Sequence, residues 1–407
     1  MSTNIMRKRT HMTANTGTPS GSTAVDAVRG WSEPGFESVI HAFASTIPDS
    51  GQTGAALSVW IEGQPVIEVH AGIADGRTGE PFNDRTLHPI FSCSKGVASL
   101  LVARLIERGL IESFETPVSA IWPEFAANGK DTLTIGDALA HRGGVSAPRV
   151  DLTQEQILDG VTLAASLAAQ EPLWEPGKNH HYHALSHGVF TEQIVARTAG
   201  VPISEFLQAE LAGPLEAEVF FGLPDDGAAR LSHWIDAEGE LSQFANQEPI
   251  ADPEAAYWHD RAMTLGGGIG IPDFNRPEVF HHVLAGAGGV ATASGLARIW
   301  SSTVTPTLGY RSISDEMIAT LSSPRSSGPG RFPVSPPPYQ SWGAGVMIPS
   351  DWERYLTPRS FGHDGAGGQI AFADPETRVA VAYLTNRMGD WARGQGIVSA
   401  LSDVLGI

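Results

Sequence analysis

The chain has 407 residues, 42% of them hydrophobic and 17% charged, enough for a large core or two lobes. Its 45 acidic residues against 26 Lys and Arg give a formal charge of -19, a surface that repels nucleic acid and anionic lipid. No segment is long and apolar enough to span a bilayer, and the single cysteine, Cys93, excludes an internal disulfide. The basic stretch Arg7-Lys8-Arg9 runs into Thr, Ser and Gly instead of an apolar segment, so no secretory signal is expected. Together these features point to a cytoplasmic protein with neither nucleic-acid nor membrane partners.

Residues 1–31 are rich in Thr, Ser and Gly and are expected to be flexible. Gly35 to Thr46 has helical spacing, with Phe36, Val39, Ile40, Phe43 and Ala44. Ala55 to Ile61 and Pro65 to Ala71 read as strands joined by Glu62-Gly63-Gln64, a hairpin signal. Ser92 to Arg108 is a strongly apolar helix stopped by Gly109. Its Val97, Leu101 and Leu105 share one side and Ala98, Val102 and Ile106 lie beside them, so it should be covered on most sides.

From about 110 to 290 the pattern is helical pieces and long loops, with helices expected over 134–140, 153–168, 186–198 and 203–211. The Gly286-Ala287-Gly288-Gly289 run precedes another helix over 292–302. Residues 324–338 are rich in Pro, Ser and Gly and read as a loop that could cover a cleft entrance. Strand signals return at 342–348, 369–373 and 378–384, with Asp374-Pro375-Glu376 as a turn, and 394–405 reads as an amphipathic helix. Strand material at both ends with helical material between them suggests a sheet assembled from both termini. The expected division is a flexible segment 1–31, a sheet lobe from 32–110 and 290–407, and a mainly helical lobe over 111–289, with a cleft between the lobes.

The chemistry centres on Ser92-Cys93-Ser94-Lys95, at the mouth of the apolar helix. Serine and lysine three apart on a helix face the same way. A serine hydroxyl needs a base within reach to become a nucleophile, and a desolvated lysine can be that base. A helix N-terminus also offers free N–H groups to a developing oxyanion. The competing reading makes Ser92 a helix cap and Lys95 a solvated first-turn residue. Cys93, one position round from Ser92, should face the packing and not the reaction.

With the motifs that follow it, this tetrad resembles the serine β-lactamase and penicillin-binding-protein superfamily, and within it the class C β-lactamase-like carboxylesterases (family VIII esterases). The likeness covers residues 33–407. Trp174-Glu175-Pro176-Gly177 leads to Tyr182-His183-Ala184, where the family carries a catalytic tyrosine. His363-Asp364-Gly365 resembles the esterase version of the third motif, in place of Lys-Thr-Gly. Leu139-Ala140-His141-Arg142-Gly143-Gly144, the glycine-rich run to Thr292 and the segment Tyr383 to Met388 are further ordered matches.

The resemblance implies an α/β (α+β) β-lactamase/transpeptidase-like fold, an antiparallel sheet flanked by helices beside a mainly helical lobe. It implies Ser92 as nucleophile, Lys95 and Tyr182 as general bases, and the backbone N–H groups of Ser92 and Ala366 as the oxyanion hole. His183, His363, Gly365, Trp174 and Trp342 are the expected supporting or pocket residues, with Trp352 and Tyr339 as further pocket candidates. The expected function is hydrolysis of small carboxylic esters through a Ser92 acyl-enzyme. Alternatives are a β-lactam or small-amide hydrolase, an acyltransferase, or a catalytically silent ligand-binding relative.

Two departures weaken the lactamase alternative: Ala184 stands where such enzymes carry an Asn, and the third motif lacks a lysine for a substrate carboxylate. His180, His181, His183 and His187 lack the Glu and the third ligand that a catalytic zinc site would show, so neither metal nor cofactor is expected. His141 and Arg142 either order the loop beside the cleft or form a satisfied surface pair, and Asp364 reads as a loop-positioning residue. Nothing in the sequence fixes an oligomeric state, and a homo-oligomer is compatible with it.

Overall fold

The centre of the molecule is the strand Gly54–Ile61, which hairpins into Gln64–Asp75. The two residues between them, Glu62 and Gly63, both have positive φ, 51° and 75°, the twist a two-residue hairpin turn requires. On its other edge the same strand pairs with Val379–Thr385 from the far end of the chain. The structure, a computed structural model, describes residues 10–12, 24–48, 51–236, 250–389 and 392–407. Among these, eleven strands form one sheet. Its order is Thr10–Met12, Arg29–Ser32, Gln64–Asp75, Gly54–Ile61, Val379–Thr385, Gln369–Asp374, Phe361–Gly365, Met347–Ile348, Ser341–Trp342 and Ser326–Ser327, with Glu80–Pro81 pairing beside Gln64–Asp75. Neighbouring strands along this order run antiparallel.

Alternation along the central strands sorts side chains between two cores. Ala55, Leu57, Val59, Val379, Val381 and Tyr383 face a layer built from the helices Glu37–Ser45 and Ala392–Leu405. Ala56, Trp60, Ala380, Ala382 and Leu384 face the opposite core. There the helix Ala293–Val304 lies directly on the sheet, and the alanines let it approach closely. The helix Cys93–Glu107 packs on the strand Phe361–Gly365 and on the helix Ser186–Ala199. Every residue from Cys93 to Ala103 is buried, as its apolar sequence requires.

Several expectations need correction. Most of the segment 1–31 lies outside the described residues, but Thr10–Met12 is an edge strand, Arg29–Ser32 is the strand next to it, and Ala24–Ala27 is a helical turn. The single helix expected over 153–168 is two, Gln154–Leu158 and Thr162–Ala169. Gly160 breaks it with φ of 70°, and the Asp159 carboxylate restarts it by accepting from the N–H groups of Val161 and Thr162. The strand expected over 342–348 is split into Ser341–Trp342 and Met347–Ile348 around Gly343-Ala344-Gly345. A second sheet of three short strands, His88–Pro89, Gly289–Ala291 and Val219–Phe221, has no counterpart in the sequence reading. It joins the segment before Ser92 to the middle of the chain.

Gly96 allows a close contact between the Cys93–Glu107 helix and its surroundings: a Cβ there would sit 2.7 Å from the buried Trp300 ring. Alanine gains about 1 kcal/mol of helix propensity over glycine, whereas overpacking costs about 1–3 kcal/mol. Gly96→Ala should therefore lower the urea midpoint of unfolding, and a raised midpoint would mean that the Trp300 contact yields freely.

Candidate active site

Ser92 sits at the N-terminal boundary of the Cys93–Glu107 helix, and the residue before it, Phe91, has a φ of 44°. A bulky residue in the left-handed region carries strain, and here it turns the chain abruptly into the helix. Lys95 follows one turn later and is fully buried. Its Nζ lies 3.0 Å from Ser92 Oγ and donates to the carbonyl oxygens of Ala184 and Gly286, both at 2.7 Å. Tyr182 approaches from the segment before the helix Ser186–Ala199, and its hydroxyl donates to Ser92 Oγ at 2.8 Å. Lys95 Nζ is 4.8 Å from the Tyr182 ring centre. The three sequence-chosen residues thus meet at one oxygen.

Burial lowers the Lys95 pKa to about 7. Burial raises that of Tyr182, which keeps the phenol protonated, and the hydrogen bond to Ser92 opposes this only in part. The geometry fits these protonation states. A neutral amine has two N–H groups, which the two carbonyls take, and one lone pair, which faces the Ser92 hydroxyl. An ammonium would instead donate to all three oxygens, and with a pKa of about 7 both forms are present near neutrality. Tyr182 is a donor to Ser92 in the resting site.

The third motif closes the site from the sheet side. Gly365 ends the strand Phe361–Gly365, and a Cβ there would lie 2.7 Å from the Ile90 carbonyl and 3.2 Å from Cys93 Sγ, so glycine lets the strand reach the Ser92 segment. Among the described residues, neither the Ser92 nor the Ala366 N–H has a hydrogen-bond partner. Gln369, which the sequence gave no reason to single out, fixes the turn: its amide donates to the carbonyls of Ala366 and Pro89, both at 3.1 Å. His363 is buried, its Nδ1 lies 2.7 Å from the Asp364 carbonyl, and burial lowers its pKa to about 3, so it is a neutral imidazole. Asp364, within the strand and not on a loop, accepts from the Tyr355 hydroxyl at 2.9 Å.

The remaining candidates divide. Trp342 stacks on Tyr182, with ring centres 6.0 Å apart, and lines a cavity of about 180 Å³ together with Tyr182, Trp352 and Tyr339. Segments of the proline-rich loop, Gly328 to Gly330 and Val334 among them, form part of its wall. Trp174 and His183 stand behind that wall. Trp174 donates to the Asn179 carbonyl at 2.9 Å and packs edge-on against His183 and Phe332. His183 Nδ1 lies 2.6 Å from the His181 carbonyl, and burial lowers its pKa to about 4. His141 is more central than its sequence suggested. It is fully buried at φ of 66°, accepts from the His183 N–H at 3.2 Å, and its ring centre is 4.8 Å from that of Tyr182. This excludes the surface-pair reading for His141.

Among the described residues no group of three or more His, Cys, Asp or Glu side chains is arranged to hold a metal ion. No helix among them is long and apolar enough to cross a membrane. A larger cavity, about 950 Å³, lies away from Ser92 between Asp75, Arg85 and Arg230, and its arginines are engaged by carboxylates.

Residues 39–401 match the family described as Beta-lactamase. The chain belongs to that family. Among other members, it is 33% identical over 369 residues to the esterase/β-lactamase LipL of Mycobacterium tuberculosis, covering 89% of this chain and 83% of that one. The crystal structure of a penicillin-binding-protein homolog from Caulobacter crescentus superposes with a TM-score of 0.81 at 29% identity, covering 93% of this chain and 99% of that one. A family VIII carboxylesterase superposes with a TM-score of 0.80 at 27% identity, with the same coverage of 93% and 99%. The fold is thus the β-lactamase/transpeptidase-like one, and this Beta-lactamase family member is a hydrolase related to esterases.

Cys93, next to Ser92, is the obvious rival nucleophile. Its thiol is buried, donates to the His363 carbonyl at 3.1 Å, and has its pKa pushed up by burial. It should therefore resist a thiol reagent in the native protein and react only after unfolding. Fast native labelling would reopen the cysteine as a candidate.

Proposed function

We propose that the chain is a serine carboxylesterase that cleaves small carboxylic esters through an acyl-enzyme on Ser92. The observation that carries this reading is the single oxygen of Ser92 held between the Lys95 amine and the Tyr182 phenol. As Ser92 Oγ attacks the ester carbonyl, its proton passes to the Lys95 lone pair. Charge moves onto the carbonyl oxygen, where the unpartnered N–H groups of Ser92 and Ala366 receive it. When the tetrahedral intermediate collapses, Tyr182 protonates the departing alkoxide and regains a proton from the Lys95 ammonium. Water then takes the alcohol's place and the transfers run in reverse, releasing the acid. Neutral Lys95 acts as base and Tyr182 as acid, which refines the pair of bases the resemblance implies.

Features on both lobes favour an ester over a β-lactam. Ala184 contributes its carbonyl to Lys95 and has no side-chain amide for an amide substrate. The neutral His363 stands where a lysine would meet a substrate carboxylate. LipL carries both activities in its name, so a chromogenic cephalosporin is the discriminating substrate; turnover comparable to that of an ester would favour the lactamase reading. Burial of Lys95 argues against a silent relative, for which a solvated ammonium would serve as well.

With a short-chain nitrophenyl ester, Ser92→Ala should abolish turnover, a loss of about 10⁴-fold or more, while leaving the fold intact. Lys95→Ala should cost about 10²–10⁴-fold and Tyr182→Phe about 10²-fold, measured as kcat. Near-normal turnover in any of the three would remove that residue's role. The rate should also depend on the free amine of Lys95. Below its pKa the lone pair is lost, so kcat/KM should fall about tenfold per pH unit on the acid side of pH 7. A rate independent of pH across that region would contradict a lysine base.

A further inference from the structure

Beside Tyr182 lies the cavity of about 180 Å³, lined mainly by aromatic and apolar groups, with Ser335 and Gln340 as uncharged polar side chains. Its walls include the rings of Trp342, Trp352, Phe332 and Tyr339, with Val334 and Pro338. Among the described residues that line it there is no Lys, Arg, Asp or Glu. The titratable groups present besides the tyrosines are His180, His181 and His259, and burial lowers the pKa of each, leaving neutral imidazoles at physiological pH. Two guanidinium groups that neighbour its walls are committed elsewhere. Arg331 is paired with Glu254 at 3.3 Å and lies over the Phe332 ring, and Arg142 is held by Asp137 at 3.1 Å and by the Arg325 carbonyl at 2.5 Å.

Size and position narrow the occupant. An apolar cavity of about 150 Å³ holds one benzene ring, so this one takes a single ring with a short substituent. Flat aromatic walls favour a flat guest, which can stack or meet them edge-on. A carboxylate entering here would lose hydration and meet no Lys or Arg among the residues that line the cavity. Tyr182 is shared between the cavity and the Ser92 hydrogen bond, and in the proposed mechanism it protonates the departing oxygen. The group inside the cavity is then the one attached to that oxygen.

We propose that this cavity is the alcohol-side subsite and that it selects uncharged esters of single-ring arylalkyl alcohols, of the benzyl type, over esters whose alcohol carries a carboxylate. This assignment rests on the esterase reading but can be tested apart from it. The first measurement is binding of benzyl alcohol and para-carboxybenzyl alcohol to the Ser92→Ala protein, followed by tryptophan fluorescence at a pH where the carboxylate is ionised. No chemistry is needed for that readout. Benzyl alcohol should bind at least about tenfold more tightly, and Val334→Trp, which fills the cavity, should erase the difference. Equal binding, tighter binding of the carboxylate, no binding of either, or an unaffected Val334→Trp variant would each overturn the proposal. The second measurement is hydrolysis of benzyl acetate and ethyl acetate by the wild-type protein. A kcat/KM ratio of at least about ten in favour of benzyl acetate, lowered by Val334→Trp, is expected. Selective binding without hydrolysis of either ester would remove the esterase reading and leave the cavity's preference for a neutral aryl group standing; hydrolysis of both esters without preference would remove the subsite.

Discussion

Everything at this site depends on keeping one amine dry. Lys95 is fully buried, and burial removes the hydration that would hold it as an ammonium. Two carbonyl oxygens, from Ala184 and Gly286, accept its N–H groups and leave its remaining valence toward Ser92. Those carbonyls come from different places in the chain, one beside Tyr182 and one in the glycine-rich run that leads to Gly289–Ala291. The amine therefore closes the helical part of the chain onto the Cys93–Glu107 helix at the same point where it serves the chemistry. Removing it would leave two buried acceptors unpaired, at a cost of about 1–3 kcal/mol each. Structure and reactivity are coupled through the same three contacts.

The scaffold makes that arrangement precise in direction. The strained Phe91 aims Ser92 at the cleft, and Gly365 allows the Phe361–Gly365 strand to come up against Ile90 and Cys93. Gln369 then anchors the Ala366 turn to Pro89, so the two unpartnered N–H groups are fixed relative to one another. Opposite them, His141 supports Tyr182 from below and Trp342 covers its other side. The sheet stands behind all of this because its middle strand, Gly54–Ile61, is paired with strands from both ends of the chain.

Much of this was legible in the sequence because the signals are local. Ser92 and Lys95 share a helix turn, the Glu62-Gly63 hairpin is written in two residues, and the alternation in Ala55–Ile61 and 378–384 reflects two buried faces. The part that was not legible consists of groups without residue identity or periodicity. The Ala184 and Gly286 carbonyls are backbone atoms that any residue supplies. The strands His88–Pro89 and Val219–Phe221 are too short to show a repeat. Gln369 acts through tertiary contacts that nothing in its neighbourhood announces, and the motif around His141 marks the loop but not its contact with Tyr182. One miss was avoidable: Asp159-Gly160 before Thr162 is a breaker followed by a cap, which marks the end of one helix and the start of the next. The protonation of Tyr182 is not legible for a different reason: motif position identifies a tyrosine but not how deeply it is buried, and burial favours the protonated phenol.

The central claim is that burial brings the Lys95 pKa down to neutrality in the folded protein, so that a free amine is available to Ser92 at physiological pH. Its titration can be followed directly by NMR, with the side-chain carbon next to the amine of Lys95 labelled and assigned by comparison with a Lys95→Arg sample. The account predicts a midpoint near 7, far below an ordinary lysine. A midpoint near 10.5, the ordinary lysine value, would mean that Lys95 is an ammonium throughout, and the base for Ser92 would have to be sought elsewhere.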